Sequence, residues 1–344
     1  MNKKISLSLA AMLAMATAAV GQTLPATTVN VVGNLSTSTQ SRQVETPFWT
    51  KKMAEISNGS IKAQFRAWNE LGLKGPEVFK LLAAGSANIA TAQLGHHSGS
   101  DPINDGNDLA GMSDSFDSFK RVSDAFFPIL SGYYKSKLGL HLISLQSYQS
   151  QVTFCRVPVS GLADFAGKRI RTSGASQADF VKYLKGEPVD MAFGDVQQSL
   201  EQGVIDCAIT SAMGGYTARW YEGAKYLYSL PINFGAGATA ANATWWDRQP
   251  AEIQTFLTAE LGKLSDEMWA QNRTEDAAGI ACNTEGPCAL GEPARLTLAK
   301  PSEADVALRK EAFTNAVLPG WTKRCGEVCQ TAFDTSLAAA AGMR

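Results

Sequence analysis

The sequence is poor in the features on which most enzymes and nucleic-acid binders depend. Only three of its 344 residues are histidine, and 31 basic residues stand against 32 acidic ones, a net charge of −1. Such a balanced chain lacks the basic surface that nucleic-acid binding requires. No GxSxG, HExxH, GxxxxGK[ST] or GxGxxG segment occurs. We therefore expect no enzyme activity, no cofactor and no nucleic-acid partner.

Long apolar runs are also missing, with one exception at the N-terminus. A basic start, MNKK, is followed by the uncharged apolar residues 5–20, and small residues precede a cleavage position ahead of Gln22. This is the pattern of a secretory signal peptide, and the run is shorter than the roughly 20 residues that span a membrane. We expect residues 1–21 to be removed on export to the periplasm. Because they carry two lysines and no acid, the mature net charge would be about −3.

All six cysteines lie in the part expected to be exported: Cys155, Cys207, Cys282, Cys288, Cys325 and Cys329. An even number in an oxidising compartment favours disulfides, although six cysteines allow 15 complete pairings. The two C-terminal pairs also have spacings that could ligate a metal, but no histidine follows them. We predict no metal site. We expect Cys155–Cys207 to join neighbouring strands, with local pairs 282–288 and 325–329.

The order of predicted elements is that of an α/β protein. Strands are predicted at 27–33, 60–68 and 86–95, with helical segments at 47–57 and from Pro76 between them. The pattern restarts after about residue 148, with strands at 152–159, 168–173, 188–194 and 204–210 and helices at 176–186 and 195–203. This alternation predicts parallel sheets covered by helices.

Two lobes are predicted, because about 320 mature residues exceed a comfortable single core. Residues 250–280 form one long helix in this prediction, since apolar side chains recur three and four residues apart. We assign 22–148 plus about 236–276 to lobe I, and 149–235 plus about 277–344 to lobe II. The chain would cross between the lobes near 147–150 and 231–236, which leaves a cleft between them.

The segment AGKRIRTSGAS (166–176) indicates an anion site. Arg171 ends a predicted strand and is followed by the small residues 172–176. Ligands of α/β domains lie beyond the carboxyl ends of the strands, and a guanidinium fits a carboxylate in two-pronged fashion. The adjacent pair His96-His97 is a weaker candidate. Neighbouring histidines point in different directions, and no third metal ligand is evident, although one could hydrogen-bond a ligand.

Residues 162–211 resemble the signature region of the solute-binding proteins of tripartite ATP-independent periplasmic (TRAP) transporters. The segments DFAGKRIRTS and PVDMAFGDVQQSLEQGVIDCAIT match two blocks of that family in order, and NGSIKAQF, ELGLKGPEVF, WYEGAKYLYSLP and WWDRQP match others. The resemblance covers essentially the whole mature chain.

The resemblance implies a periplasmic-binding-protein (clamshell) fold: α/β, two-lobed, with a long lobe-spanning helix. It implies a monomeric receptor that binds a small organic acid between its lobes and delivers it to the membrane permease subunits of an ion-driven TRAP transporter. A receptor for an ATP-driven importer or a sensor kinase would share these features. An exported enzyme is the alternative of a different class.

The resemblance also implies roles for five residues. Arg171 matches the arginine that pairs with the ligand carboxylate, and Phe193 matches an aromatic residue that lies along the ligand. Asn34 matches a polar contact from the other lobe. Gln93 falls where many members have a polar or acidic contact, and His96 lies on the same rim.

Three positions depart from the family pattern. Gln151 stands where many members have a second arginine, Thr210 where many have asparagine, and Lys74 where several have aspartate. The loss of a cation and an amide from around the anion predicts a monocarboxylate with an apolar or aromatic body. Lys74 could supply the missing positive charge.

Overall fold

The computed structural model describes residues 24–343, so the predicted signal peptide lies outside the described residues. The strands are β1 (Thr27–Gly33), β2 (Ile61–Ala67), β3 (Ile89–Gln93), β4 (Leu140–Ser147), β5 (Gln151–Cys155), β6 (Arg169–Thr172), β7 (Glu187–Asp190), β8 (Cys207–Ser211), β9 (Tyr226–Asn233), β10 (Ala236–Asn242) and β11 (Thr297–Ala299).

The helices are α1 (Met53–Ile56), α2 (Val78–Ala83), α3 (Phe116–Tyr133), α4 (Ala175–Tyr183), α5 (Val196–Glu201), α6 (Ala212–Thr217), α7 (Ala243–Asp247), α8 (Ala251–Asn283), α9 (Glu303–Ala312), α10 (Leu318–Cys325), α11 (Glu327–Ala332) and α12 (Ala338–Ala340). Short 3₁₀ and π-helical turns adjoin them. Two π-helical turns extend α1 backwards, so that the first helical stretch runs from 39 to 56 and begins earlier than predicted.

The strands form two sheets, with the orders β2-β1-β3-β10-β4 and β11-β9-β5-β8-β6-β7. The predicted parallel arrangement holds for β2-β1-β3 and for β7-β6-β8. The expectation of wholly parallel sheets was wrong, because β10 is antiparallel to β3 and β4, and β5 is antiparallel to β8 and β9. These strands adjoin the chain crossings, so they enter their sheets without the helical crossover that makes neighbours parallel.

In residues 24–343 the chain passes between the sheets three times: at 148–150 from β4 to β5, at 234–235 from β9 to β10, and through α8 on the way from β10 to β11. Helix α8 is thus itself one of the connections between the lobes. Its stripe of Leu257, Leu261, Leu264 and Met268 is buried in the core of the first sheet. Its other end packs on α6, where a Cβ on Gly279 would lie 2.4 Å from the Met213 backbone nitrogen. The helix therefore braces both lobes.

Side chains of α8 also hold the first crossing in place. Asn272 Nδ2 donates to the Ser147 carbonyl oxygen at 2.7 Å. Asp276 Oδ1 accepts hydrogen bonds from the Ser150 backbone N–H at 2.7 Å and from its hydroxyl at 2.6 Å. The segment between the lobes is therefore tied to the helix by directional bonds as well as by packing.

The three cysteine pairs favoured by the sequence are bonded. Cys155 and Cys207 lie directly opposite each other on β5 and β8, with a Cα–Cα distance of 4.0 Å. The other two pairs are 282–288 at the end of α8, and 325–329 across the break between α10 and α11. Among residues 24–343 no group of three or more His, Cys, Asp or Glu could hold a metal. No helix in the same range is both long and apolar enough to cross a membrane.

Candidate ligand-binding cleft

A narrow cleft with a volume of about 50 Å³ lies where the two sheets face each other. It is built at the carboxyl ends of strands, the usual ligand position in α/β folds. Its lining residues are Asn34, Leu35, Ser38, Thr39, Gln40, Trp68, Gln93, His96, Tyr148, Gln149, Gln151, Arg171, Ser173, Phe193, Thr210, Ser211, Gly214 and Asn272. These come from both lobes, from the first crossing and from α8.

Arg171 is the one residue with a permanent charge among the described residues that line the cleft. Its side chain is 2 % exposed. Nε donates to the Met191 carbonyl oxygen at 3.1 Å and Nη1 donates to that of Ile209 at 2.9 Å. Within the described part of the chain, Nη2 has no hydrogen bond and no carboxylate lies within 4 Å of the guanidinium. The protein thus positions a buried cation without a counter-ion.

Two aromatic rings complete the surroundings of Arg171. Its guanidinium carbon lies 5.7 Å from the centroid of the Trp220 ring, and that ring packs against Phe193 with centroids 5.0 Å apart. Burial lowers the pKa of Arg171 to about 10, and the attraction of Asp190 opposes that shift. The guanidinium therefore stays charged at neutral pH.

Arg169, on the same strand, is a contrast. It is the first residue of β6, its side chain is 41 % exposed, and it forms a two-pronged pair with Asp206 at 3.0 and 2.9 Å. Hydrogen bonding to Asp206 raises the pKa of Arg169. Its charge is neutralised within the protein, so it is not available to a ligand.

The end of β3 contributes Gln93 and His96 to the other wall. The His96 ring lies edge-on to Trp68, with ring centroids 6.4 Å apart. Burial, together with the charge of Arg171, lowers the pKa of His96 to about 4. A neutral imidazole at this place can hydrogen-bond a ligand without adding a second positive charge.

Polar but uncharged groups fill the rest of the cleft. Gln151 donates through Nε2 to the Gln149 carbonyl oxygen at 2.9 Å, and Thr210 lies on β8 beside the Ile209 carbonyl that accepts from Arg171. Both residues are nearly buried, at 3 % and 6 % exposure. The chemical character of the cleft is one cation surrounded by amides, hydroxyls and aromatic rings.

The structure brings together seven of the eight residues singled out from the sequence: Asn34, Gln93, His96, Gln151, Arg171, Phe193 and Thr210. Lys74 is placed elsewhere. It is exposed and lines an adjoining groove on the far side of Arg171, together with Lys182. Its own backbone N–H donates to Glu77 Oε2 at 3.1 Å.

Sequence reasoning missed several residues of the cleft: Gln40, Trp68, Tyr148, Gln149 and Asn272, together with Trp220 behind Arg171. Only Asn272 carries a signal in the sequence. It follows Met268 by four residues in the apolar stripe of α8, where a polar side chain is out of place. The others become neighbours only through the tertiary fold.

Two mixed α/β lobes joined by two short crossings and a long helix, with a buried cation in the cleft, are the architecture of a solute-binding protein of the periplasmic type. Residues 33–293 match the family described as "Bacterial extracellular solute-binding protein, family 7". Since this range is most of the chain, the protein belongs to that family.

Known proteins agree with this assignment. The chain is 26 % identical over 118 residues to the C4-dicarboxylate-binding periplasmic protein DctP of Rhodobacter capsulatus, covering 34 % of this chain and 35 % of that protein. The matched part of the chain covers about half or less of the length of the curated relatives, 56 % of one and 35 % of the other.

Solved structures of TRAP receptors share the fold over nearly the whole chain. The DctP6 receptor of Bordetella pertussis, which binds pyroglutamic acid, aligns with a TM-score of 0.81 at 18 % identity, covering 92 % of this chain and 100 % of that one. A TRAP solute-binding protein of Desulfovibrio salexigens with bound orotic acid gives 0.81 at 14 % identity, covering 92 % and 99 %.

Proposed function

We propose that the protein is an extracytoplasmic receptor that binds a small carboxylate between its lobes and delivers it to a TRAP permease. Arg171 carries this proposal, because a buried guanidinium with an unused donor and no protein counter-ion is built for an external anion. Solved structures of similar fold include a receptor that binds pyroglutamic acid and TRAP solute-binding proteins with bound orotic acid, malonate and succinate, all of which are carboxylates.

The same proposal includes a clamshell movement, export to the periplasm, a monomeric state and no catalytic turnover. Two short crossings and one bracing helix are the usual construction of a hinge that closes on ligand. Among the described residues that line the cleft, the one imidazole is His96, whose lowered pKa makes it a weak base, and no hydrogen bond joins it to a hydroxyl group.

A thermal-shift screen against organic acids tests the proposal. A ligand at 100 times its dissociation constant would add about 2.7 kcal/mol to the free energy of unfolding. Small-angle scattering at saturating ligand should then show a smaller radius of gyration with unchanged circular dichroism. Failure of every carboxylate to stabilise the protein would contradict the proposal. Conversion of an acid into product would favour the enzyme alternative.

A further inference from the structure

The lobe I wall of the cleft holds two buried hydrogen-bond donors without partners. Asn34 Oδ1 accepts from the Leu35 N–H at 2.8 Å, and Gln40 Oε1 accepts from Asn272 Nδ2 at 3.3 Å. These bonds orient both amides, and they leave Asn34 Nδ2 and Gln40 Nε2 buried with no partner among the described residues. Buried donors in folded proteins are nearly always paired. Both residues line the cleft, where a ligand can supply the missing acceptor.

An acceptor and a hydroxyl lie in the same wall. Asn272 Nδ2 also donates to the carbonyl oxygens of Ser147 and Met268 at 2.7 and 2.9 Å, which fixes the amide and leaves Oδ1 without a donor. The Tyr148 hydroxyl is buried in the same wall, and an interaction with the Asn34 side chain opposes the rise that burial causes in its pKa. The wall thus offers two hydrogen-bond donors, one acceptor and a hydroxyl group that can donate or accept. Such a set complements a ligand that presents a carbonyl oxygen next to an N–H.

Glu45 lies directly behind this wall. Its side chain is fully buried, and Oε2 accepts from the Asn34 backbone N–H at 2.8 Å. Its charge contributes, after burial, to a raised pKa of Tyr148, so its field reaches the cleft surface. Asn34, Thr91 and Tyr148 interact with Glu45, and within the described residues no basic side chain forms an ion pair with it.

The two ends of the cleft therefore have opposite electrostatic character. Arg171 attracts one carboxylate on the lobe II side. A second carboxylate against Asn34 and Tyr148 would find donors for its oxygens, but it would also meet the negative charge of Glu45 at close range. Like charges placed together in a poorly hydrated site are strongly unfavourable.

We propose that the ligand is a monocarboxylate that carries a neutral amide or lactam group, and that Glu45 in its ionised form disfavours dicarboxylates. The carboxylate binds Arg171, and the neutral group binds the amides of Asn34 and Gln40. This inference rests on the proposed function and narrows its ligand class.

Calorimetric titration with L-pyroglutamate and glutarate tests the proposal. Each acid has five carbons and one carboxylate for Arg171, but pyroglutamate carries a lactam where glutarate carries a second carboxylate. Burial raises the pKa of Glu45 to about 7, so the titrations are run at pH 8.5, where it is ionised. We expect the wild type to prefer pyroglutamate by roughly tenfold or more. Glu45→Gln keeps an acceptor for the Asn34 N–H but removes the charge. It should bring the ratio of the affinities for pyroglutamate and glutarate close to one. Glu55→Gln, which removes an exposed carboxylate of the same lobe away from the cleft, should leave it unchanged.

Gln40→Ala provides a second test that does not disturb Glu45. It should weaken pyroglutamate by roughly three- to tenfold and leave glutarate nearly unchanged. A wild type that prefers glutarate, or a folded Glu45→Gln variant with the wild-type preference, would overturn the inference. If neither probe binds, a screen that returns only dicarboxylates, or acids without a neutral carbonyl, would overturn it as well. In those cases carboxylate binding through Arg171 stands, whereas a protein that binds no carboxylate refutes the proposed function itself.

Discussion

Truncation of Arg171 is the most direct perturbation of the proposed site. The guanidinium is 2 % exposed, and no carboxylate of the described chain pairs with it, so a bound carboxylate would be its counter-ion. Removing one partner of a buried, hydrogen-bonded charge pair typically costs about 2–5 kcal/mol, or roughly 30- to 4000-fold in affinity. We expect Arg171→Ala to lose ligand affinity within that range.

Two further variants separate the possible causes of such a loss. Arg171→Lys keeps the charge but loses the fork of donors, including those to the Met191 and Ile209 carbonyls, so it should recover only part of the affinity. Arg169→Ala removes the same side chain from the same strand. Because Arg169 is half exposed and already paired with Asp206, we expect nearly full ligand affinity in this control.

Calorimetric titration of the wild type and the three variants, with the best acid from the screen, measures these affinities. Thermal unfolding of the ligand-free proteins accompanies it, because truncation of Arg171 also leaves two buried carbonyl oxygens without a donor. Equal affinity losses in Arg169→Ala and Arg171→Ala, or no loss in Arg171→Ala, would refute the reasoning. Such a result would mean that another group holds the carboxylate.

Three other predictions concern stability. Gly279→Ala should lower the free energy of unfolding by about 1–3 kcal/mol in urea melts, because the added methyl would meet the Met213 backbone. Unchanged stability would mean that α8 shifts freely. Replacing Cys155 and Cys207 by alanine releases a bridge spanning 52 residues and should cost about 4 kcal/mol, more than removal of the short C-terminal bridge. Equal costs would count against the loop-entropy account. The pKa of Glu45 is raised to about 7, so its contribution to stability is full below about pH 4 and is lost as the pH rises through 7. Buried histidines with lowered pKa values change stability with pH in the opposite direction. The measurement is therefore the free energy of unfolding of the wild type minus that of Glu45→Gln at each pH. A difference that does not change with pH would contradict the prediction.

The sequence predicts well those parts of the fold that depend on the local order of strands and helices. The alternation of strands and helices identifies the parallel part of each sheet, and the apolar spacing identifies α8 almost to its ends, 250–280 against Ala251–Asn283. The antiparallel strands could not be predicted in the same way. Strands β4, β5, β9 and β10 are neighbours of the chain crossings, and their pairing depends on where the chain re-enters each sheet, which no local pattern records.

The residues of the candidate site also divide into those that the sequence indicates and those that it does not. Arg171 is recognisable because it ends a strand before a run of small residues, and the resemblance names the other positions that lie at strand ends. Glu45 has no such signature. It belongs to a helical stretch whose sequence resembles an ordinary turn followed by the start of a helix. Its position near the cleft results only from the packing of that stretch behind Asn34. Long-range packing therefore accounts for the residues that the sequence did not indicate.

The cleft contains several groups whose hydrogen-bonding or charge-pairing capacity the described chain leaves unused. Arg171 has no carboxylate within ion-pair distance, and one side-chain amide atom each of Asn34, Gln40 and Asn272 lacks a partner in the described chain. Each is held by bonds to backbone or neighbouring side chains, so the cleft cannot rearrange to satisfy itself. A ligand that satisfies several of these groups at once contacts both lobes, and its binding free energy then favours the closed form over the open one. Selectivity and lobe closure would thus have the same physical origin, since an acid that satisfies only Arg171 contacts one lobe and gives little reason to close.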